Sequence, residues 1–200
     1  MRVLPSDRIG VRKNEMKTLY VHGFGSRFDP ENPKVKALSE LGEVVGVDVD
    51  YCEGFETAFS EVSAGASECD LIVGTSMGGY LASHVGAARG IPFVALNPAV
   101  KPSETLCRHI GAFVDYVGRH STLTEETVAG YPDIQMVGGC GLILLEAGDD
   151  VIDPEVTMNL LREVYKVKMY EGGSHRFESL QERLGEIQAF MNIAEAVYGF

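Results

Sequence analysis

The chain has 200 residues, 45% of them apolar and 23% charged, with 17 basic against 29 acidic side chains and a formal charge of −12. That length suits one domain or at most two small ones, buries roughly 70–75% of its unfolded surface, and with so balanced a composition excludes disorder, collagen and coiled coil. A surface this acidic repels phosphate backbones and anionic headgroups, which argues against nucleic-acid binding.

Residues 1–15, MRVLPSDRIGVRKNE, are polar and carry no periodicity. They read as an extension, an upstream start or appended sequence, outside a single folded unit spanning 16–200. They also lack the apolar centre of a signal peptide, and no run approaches the ~18 apolar residues of a membrane span, so a cytoplasmic location is expected. Cys52, Cys69, Cys107 and Cys140 are too widely spaced for a zinc ribbon or a CxxC pair and are expected as reduced, partly buried thiols.

From Lys17 onward, short apolar runs alternate with longer helical patterns, the rhythm of βαβ units. The runs Thr18–Val21, Val44–Val49, Leu71–Val73, Phe93–Leu96, Leu142–Leu145 and Val167–Tyr170, most of them apolar at consecutive positions as for strands buried on both faces, predict six strands in a mostly parallel sheet. Between them, Pro33–Leu41, Met77–Arg89, Glu155–Tyr165 and Phe177–Met191 repeat apolar residues every three or four positions and predict crossover helices with one face on the sheet. The segment 102–136 shows no strong strand and is longer than a crossover needs. It is expected as a cap-like insertion over the sheet's carboxyl edge. The fold class is α/β, a three-layer αβα sandwich.

The first strand runs into His22-Gly-Phe-Gly-Ser26. Gly23 and Gly25 let the backbone approach a ligand, and the N–H of Phe24 is a candidate oxyanion donor. His22 is expected to brace this loop by hydrogen bonding and not to act as a base. The third strand runs through Gly74-Thr-Ser-Met-Gly78 straight into a helix, the context of a nucleophile elbow. Such a turn holds Ser76 in a strained conformation, and Gly74 and Gly78 remove the side chains that would collide there. The helix N-terminus would then offer the N–H of Met77 as the second oxyanion donor.

A serine nucleophile needs a base. His84 lies eight residues along the helix, about 12 Å further along its axis and beyond reach. His109 and His120 fall in the insertion and are expected at the surface. His175 ends a glycine-rich turn after the last strand, which delivers it to the carboxyl edge where Ser76 points. The third member should be a carboxylate that orients the imidazole, and Asp149 is the first one past the preceding strand. Asp150 and Asp153 are alternatives that also suit turn and helix-cap positions, Asp153 standing before Pro154. The order Ser76, Asp149, His175 matches that of α/β-hydrolase triads.

The segments LYVHGFGS, GTSMGGYLA, ALNPAVKPSETL, LEAGDDVID and EGGSH, in this order, resemble the YqiA/YcfP family of small α/β-hydrolases over about Met16–Phe190. The resemblance implies a compact α/β-hydrolase fold lacking the first two strands of larger hydrolases. It also implies esterase activity, with Ser76 as nucleophile, Asp149 as acid, His175 as base and Phe24 and Met77 as oxyanion donors. Asn97 and Pro98, in the family-specific NPAVKP, are expected to shape the pocket floor without direct chemistry. The middle, Cys107–Gly141, departs from the family pattern.

The expected reaction is hydrolysis of a small-molecule carboxylic ester or thioester through an acyl-enzyme, which calls for no metal and no organic cofactor. Acyl transfer on the same residues and a non-catalytic binding protein with this fold are the alternatives. A dinucleotide-dependent oxidoreductase is disfavoured, because the first strand leads into HGFGS and not GxGxxG. Either a monomer or a homodimer is compatible, with Tyr116, Leu123 and Val128 available to pack on a partner or on the sheet.

Overall fold

The computed structural model describes residues 16–199 except 117, 135 and 137; the expected extension 1–15 lies outside the described residues. Its core is a six-stranded sheet in the order β2-β1-β3-β4-β7-β8, formed by β1 (Met16–Val21), β2 (Gly42–Val47), β3 (Leu71–Thr75), β4 (Phe93–Leu96), β7 (Gly141–Glu146) and β8 (Lys166–Tyr170). Every neighbouring pair in it is parallel. Parallel strands need covered faces, and the helices α1 (Pro33–Leu38), α2 (Phe55–Gly65), α3 (Met77–Arg89), α6 (Pro154–Leu161) and α7 (Leu180–Tyr198) supply the cover.

Alternation along the strands sorts the core into two clusters. Leu19, Val21, Ile72, Phe93, Ala95, Ile143 and Leu145 face α2, α3 and α6. Tyr20, Leu71, Val73, Val94, Leu96, Leu142 and Leu144 face α1 and α7 through Leu38, Phe177, Leu180, Leu184 and Ile187. These are the three layers of the expected αβα sandwich.

Several elements differ from the sequence expectation, α1 among them, which ends at Leu38 and not at Leu41. Helix α2 fills the connection between β2 and β3, which had been assigned no helix. Its apolar stripe of Phe55, Ala58, Phe59 and Val62 is interrupted by small and polar residues, so the three-to-four spacing is weak. Helix α3 begins and ends as expected but is buried on nearly all sides, because α2 and the aromatic rings of Phe55 and Tyr131 cover its outer face. Helix α7 starts at Leu180 and not at Phe177, which sits at a φ of 55° in the preceding turn. Helix α6 ends at Leu161, after which Val164 and Tyr165 bond back to the Leu161 carbonyl.

The segment after β4 holds α4 (Pro102–Leu106), the antiparallel hairpin β5 (Gly111–Val114) and β6 (His120–Leu123), and α5 (Glu125–Ala129). Two strands therefore stand where none was expected. They are four residues each and half exposed, too short to leave a clear alternation. Hairpin and helices lie over loops at the carboxyl ends of the strands. The Tyr116 N–H donates to Gly25 O at 2.9 Å, the Thr127 hydroxyl to Cys52 O, and the Tyr131 hydroxyl to Tyr51 O at 2.8 Å. Leu123 and Val128 are buried inward, whereas Tyr116 is exposed. All four cysteines are free; Cys107 is exposed and the other three are partly buried. Among the described residues no helix is long and apolar enough to cross a membrane.

Phe93 is fully buried on β4, edge-on to Tyr165 with ring centroids 5.3 Å apart, and the backbones of Gly86 and Gly141 close on its ring. No other side chain can collapse into that space. Phe93→Ala should cost about 3–5 kcal/mol, read from urea unfolding with an unchanged m value.

Candidate active site

The carboxyl ends of β1, β3, β4, β7 and β8 face the same way, so the loops that follow them share one edge. Ser76 follows β3 with φ 56° and ψ −119°. The turn is tight enough that a Cβ at Gly74 would lie 2.1 Å from Gly78 O, and one at Gly78 would lie 2.1 Å from Val21 O. Both obstacles are backbone and cannot move aside. The main chain of Ser76 is pinned from its N–H to Leu96 O, and its own carbonyl accepts from the N–H groups of Tyr80 and Ala99.

The structure brings the three expected side chains together. His175 Nε2 is 2.9 Å from Ser76 Oγ, and His175 Nδ1 is 2.9 Å from Asp149 Oδ2 and 3.0 Å from Oδ1. Asp149 is itself held, since Oδ1 accepts the N–H groups of Val151 and Ile152 at 2.8 and 2.9 Å. Its carboxylate is nearly covered, while His175 is about one-fifth exposed. The two alternatives are placed elsewhere. Asp150 is exposed, and Asp153 caps α6 by accepting from the Glu155 and Val156 N–H groups ahead of Pro154.

The loop after β1 lies against the serine. A Cβ on Gly23 would come within 3.3 Å of Thr75 O and 3.5 Å of the Ser76 Cβ, so glycine permits the approach. The N–H groups of Phe24 and Met77 take no acceptor among the described residues. His22 is buried, with Nδ1 donating to Gly23 O at 2.8 Å and Nε2 accepting from the Val49 N–H at 3.0 Å. Acceptance at Nε2 puts the proton on Nδ1, and both ring nitrogens are engaged. The Tyr51 hydroxyl donates to His22 O, a second brace on the same loop.

Asn97, at φ 43°, ties three strand ends together. Its N–H reaches Leu144 O, its Oδ1 accepts the Glu146 N–H at 2.9 Å, and its Nδ2 donates to Ser174 O at 2.9 Å. Pro98 is buried beneath the start of α3, against Gly79. Neither touches the reacting side chains. Glu146, one residue past the expected strand Leu142–Leu145 and not singled out in the sequence, is buried here with its carboxylate bonded to the turn that carries His175. A carboxylate closing an apolar strand was the available signal.

The remaining histidines lie apart. His84 packs among Phe55 and Tyr80, with ring centroids 5.1 and 4.5 Å away, and its buried Nε2 has no partner among the described residues. His109 and His120 are exposed, the former 5.1 Å from the Phe24 ring. Phe24 also packs at 5.2 Å on Phe113 of the hairpin, and a shallow cleft beside it is lined by Gly25, Asp50, Tyr51 and Arg119. Arg119 is held by Asp115 at 2.7 Å.

A family model described as an uncharacterised protein family, UPF0227, matches residues 17–192. A UPF0227 protein of Shewanella woodyi is 26% identical over 181 residues, which is 86% of this chain and 97% of that protein. Among solved structures, Est1E from Butyrivibrio proteoclasticus aligns with a TM-score of 0.70 and 18% identity, covering 90% of this chain and 88% of that one. A monoacylglycerol lipase of Paleococcus ferrophilus aligns with a TM-score of 0.65 and 16% identity, over 89% and 94%. These likenesses establish the α/β-hydrolase fold.

Burial lowers the His84 pKa from its ordinary value to about 4, and burial lowers that of His22 as well. A histidine with a depressed pKa in the folded state binds fewer protons than the unfolded chain, so its stabilisation is present above pH ~6.5 and lost as pH falls. Stability should therefore decline between about pH 6.5 and 4, and His84→Gln should flatten that decline in urea titrations across this range.

Proposed function

The chain belongs to the uncharacterised protein family UPF0227, the YqiA/YcfP-like family that its motifs resemble, and from this premise we propose that it is a serine hydrolase of small carboxylic esters or thioesters. One observation carries the reading: the unbroken run from Ser76 Oγ through His175 to the Asp149 carboxylate, each link 2.9 Å, at a serine of positive φ. A binding module needs no such alignment. The monoacylglycerol lipase among the structural neighbours is consistent with the same reaction class.

The chemistry follows from the geometry. Ser76 Oγ attacks the carbonyl carbon as His175 Nε2 accepts its proton, and Asp149 stabilises the resulting imidazolium at Nδ1. The carbonyl oxygen, now an oxyanion, accepts from the N–H groups of Phe24 and Met77, which no acceptor among the described residues occupies. Collapse of the tetrahedral intermediate expels the alcohol or thiol, which takes the proton from His175. Water then enters, gives a proton to His175, and releases the acid from Ser76 in the reverse sequence. His22 and Asn97 contribute only by holding the two loops. No step calls for a metal or an organic cofactor.

The test is a fluorophosphonate probe on the wild type, Ser76→Ala and Asp149→Asn, with the modified peptide located by mass spectrometry and p-nitrophenyl esters of graded chain length assayed alongside. Labelling should be confined to Ser76, and Ser76→Ala should lower turnover by about 10³-fold or more in a folded protein. A folded wild type that neither labels nor turns over any ester would sink the proposal. Product diverted to an added alcohol or thiol, in place of the free acid, would identify acyl transfer on the same residues.

A further inference from the structure

We infer that Glu146 is a positioning residue for His175, a role that rests on the hydrolase reading above. Glu146 closes β7 and is only 1% exposed. Its Oε2 accepts the N–H of Ser174 at 2.8 Å and that of Glu178 at 3.0 Å, while Oε1 accepts the N–H of Ser179 at 2.8 Å. These donors bracket His175 on both sides. Burial alone would raise the Glu146 pKa, but hydrogen bonds from Ser179, Ser174 and Glu178 outweigh it and hold the carboxyl below its ordinary value.

The approach is built into the backbone. Gly173 lies against the carboxylate at φ 73°, where a Cβ would fall 2.1 Å from Glu146 Oε2. The Gly148 N–H donates to Gly172 O and the Ala147 N–H to Tyr170 O, so the turn bearing Asp149 is tied to the turn bearing His175. From the other side, Asn97 donates to Ser174 O while accepting the Glu146 N–H. The residue preceding His175 is thus held at both its N–H and its carbonyl.

Architecture alone would not select a carboxylate here. A buried charge is costly, and a well-packed apolar side chain at a strand end would stabilise the sheet as well or better. What a carboxylate alone offers is acceptor capacity on both oxygens and no donor, which matches three converging N–H groups. Gln presents an NH₂ to one of those donors, and Ala leaves all three unmet. Freed, the turn moves the imidazole relative to Ser76 and Asp149, and misplacement by about 1 Å is enough to cost ~10²-fold in rate.

The experiment compares wild type, Glu146→Gln and Glu146→Ala, each first shown to be folded by circular dichroism. Steady-state turnover of p-nitrophenyl butyrate and the rate of fluorophosphonate labelling at Ser76 are measured, with proton NMR of the His175 Nδ1–H that bonds Asp149. By the misplacement argument, kcat and labelling rate should fall about 10-fold in Glu146→Gln and ~100-fold in Glu146→Ala, with KM changed less than about threefold. The downfield Nδ1–H signal should broaden or vanish in Glu146→Ala and persist in Ser76→Ala. If Glu146→Ala does not fold, the isosteric Glu146→Gln decides. Wild-type kcat with an intact Nδ1–H signal in a folded variant, even one of lower Tm, overturns the inference. The NMR arm does not depend on turnover, so an inert wild type would sink the hydrolase reading while the proton signal still decides the positioning.

Discussion

The site depends first on a steric constraint at one turn. Ser76 sits at φ 56°, a conformation that costs a non-glycine residue about 1–3 kcal/mol, and it is held there by backbone packed too closely to admit any other path. The carbonyl of Gly78 occupies the space a Cβ at residue 74 would need, and the carbonyl of Val21 occupies the space needed at residue 78. The start of α3 is thereby pressed onto the end of β1, which places the Met77 N–H and the loop after β1 on either side of the same hydroxyl. Non-glycine residues of positive φ among the described residues are Ser76, Asn97 and Phe177. All three lie on loops beyond the carboxyl ends of strands: one holds the serine, one ties the loops, and one follows His175 by two positions.

Topology explains why those loops meet. The chain passes from β1 to β2 at one edge and then returns to lay β3 on the opposite side of β1, so strand order reverses between β1 and β3. Open parallel sheets leave a crevice at such a reversal, outside the carboxyl ends. The serine after β3 and the glycine loop after β1 flank that crevice. Because all six strands are parallel, the turns after β7 and β8 reach the same edge, and two residues 99 positions apart come within hydrogen-bond distance.

What was legible in the sequence follows the strength of each local signal. The inner strands were legible because burial on both faces demands runs such as Leu71-Ile-Val, and α3 was legible because the elbow sets its first residue and Gly90 at φ 71° its last. Helix α2 was lost because Ser60, Ser63 and Ala64 dilute its apolar stripe, and its stability comes from packing on α3 and not from pattern. The hairpin was lost because its strands are short and its inward residues few. At the candidate site, Ser76, Asp149 and His175 could be singled out from motif and order, since each follows a strand with glycine within two residues of it. Glu146 was not read, because a carboxylate closing an apolar strand is a weak signal and the backbone N–H groups it accepts carry no sequence signature of their own.

Two kinds of order therefore meet at the crevice. The Ser76, Asp149 and His175 side chains are set by strand ends and their turns, through bonds internal to the sandwich. The loop carrying the Phe24 N–H is set differently. Its inner side is held by His22 and Tyr51, but its outer side leans on the hairpin, through Tyr116 to Gly25, Arg119 to Ser26 and Phe113 to the Phe24 ring. The hairpin belongs to the stretch between β4 and β7, outside the main sheet. A change there can reshape the wall beside Phe24, and shift the donor on its backbone, without disturbing the serine, histidine or aspartate. For the proposed hydrolase, the fold thus separates a part that must stay fixed for acyl chemistry from a part that is free to adapt to the group carried by the substrate.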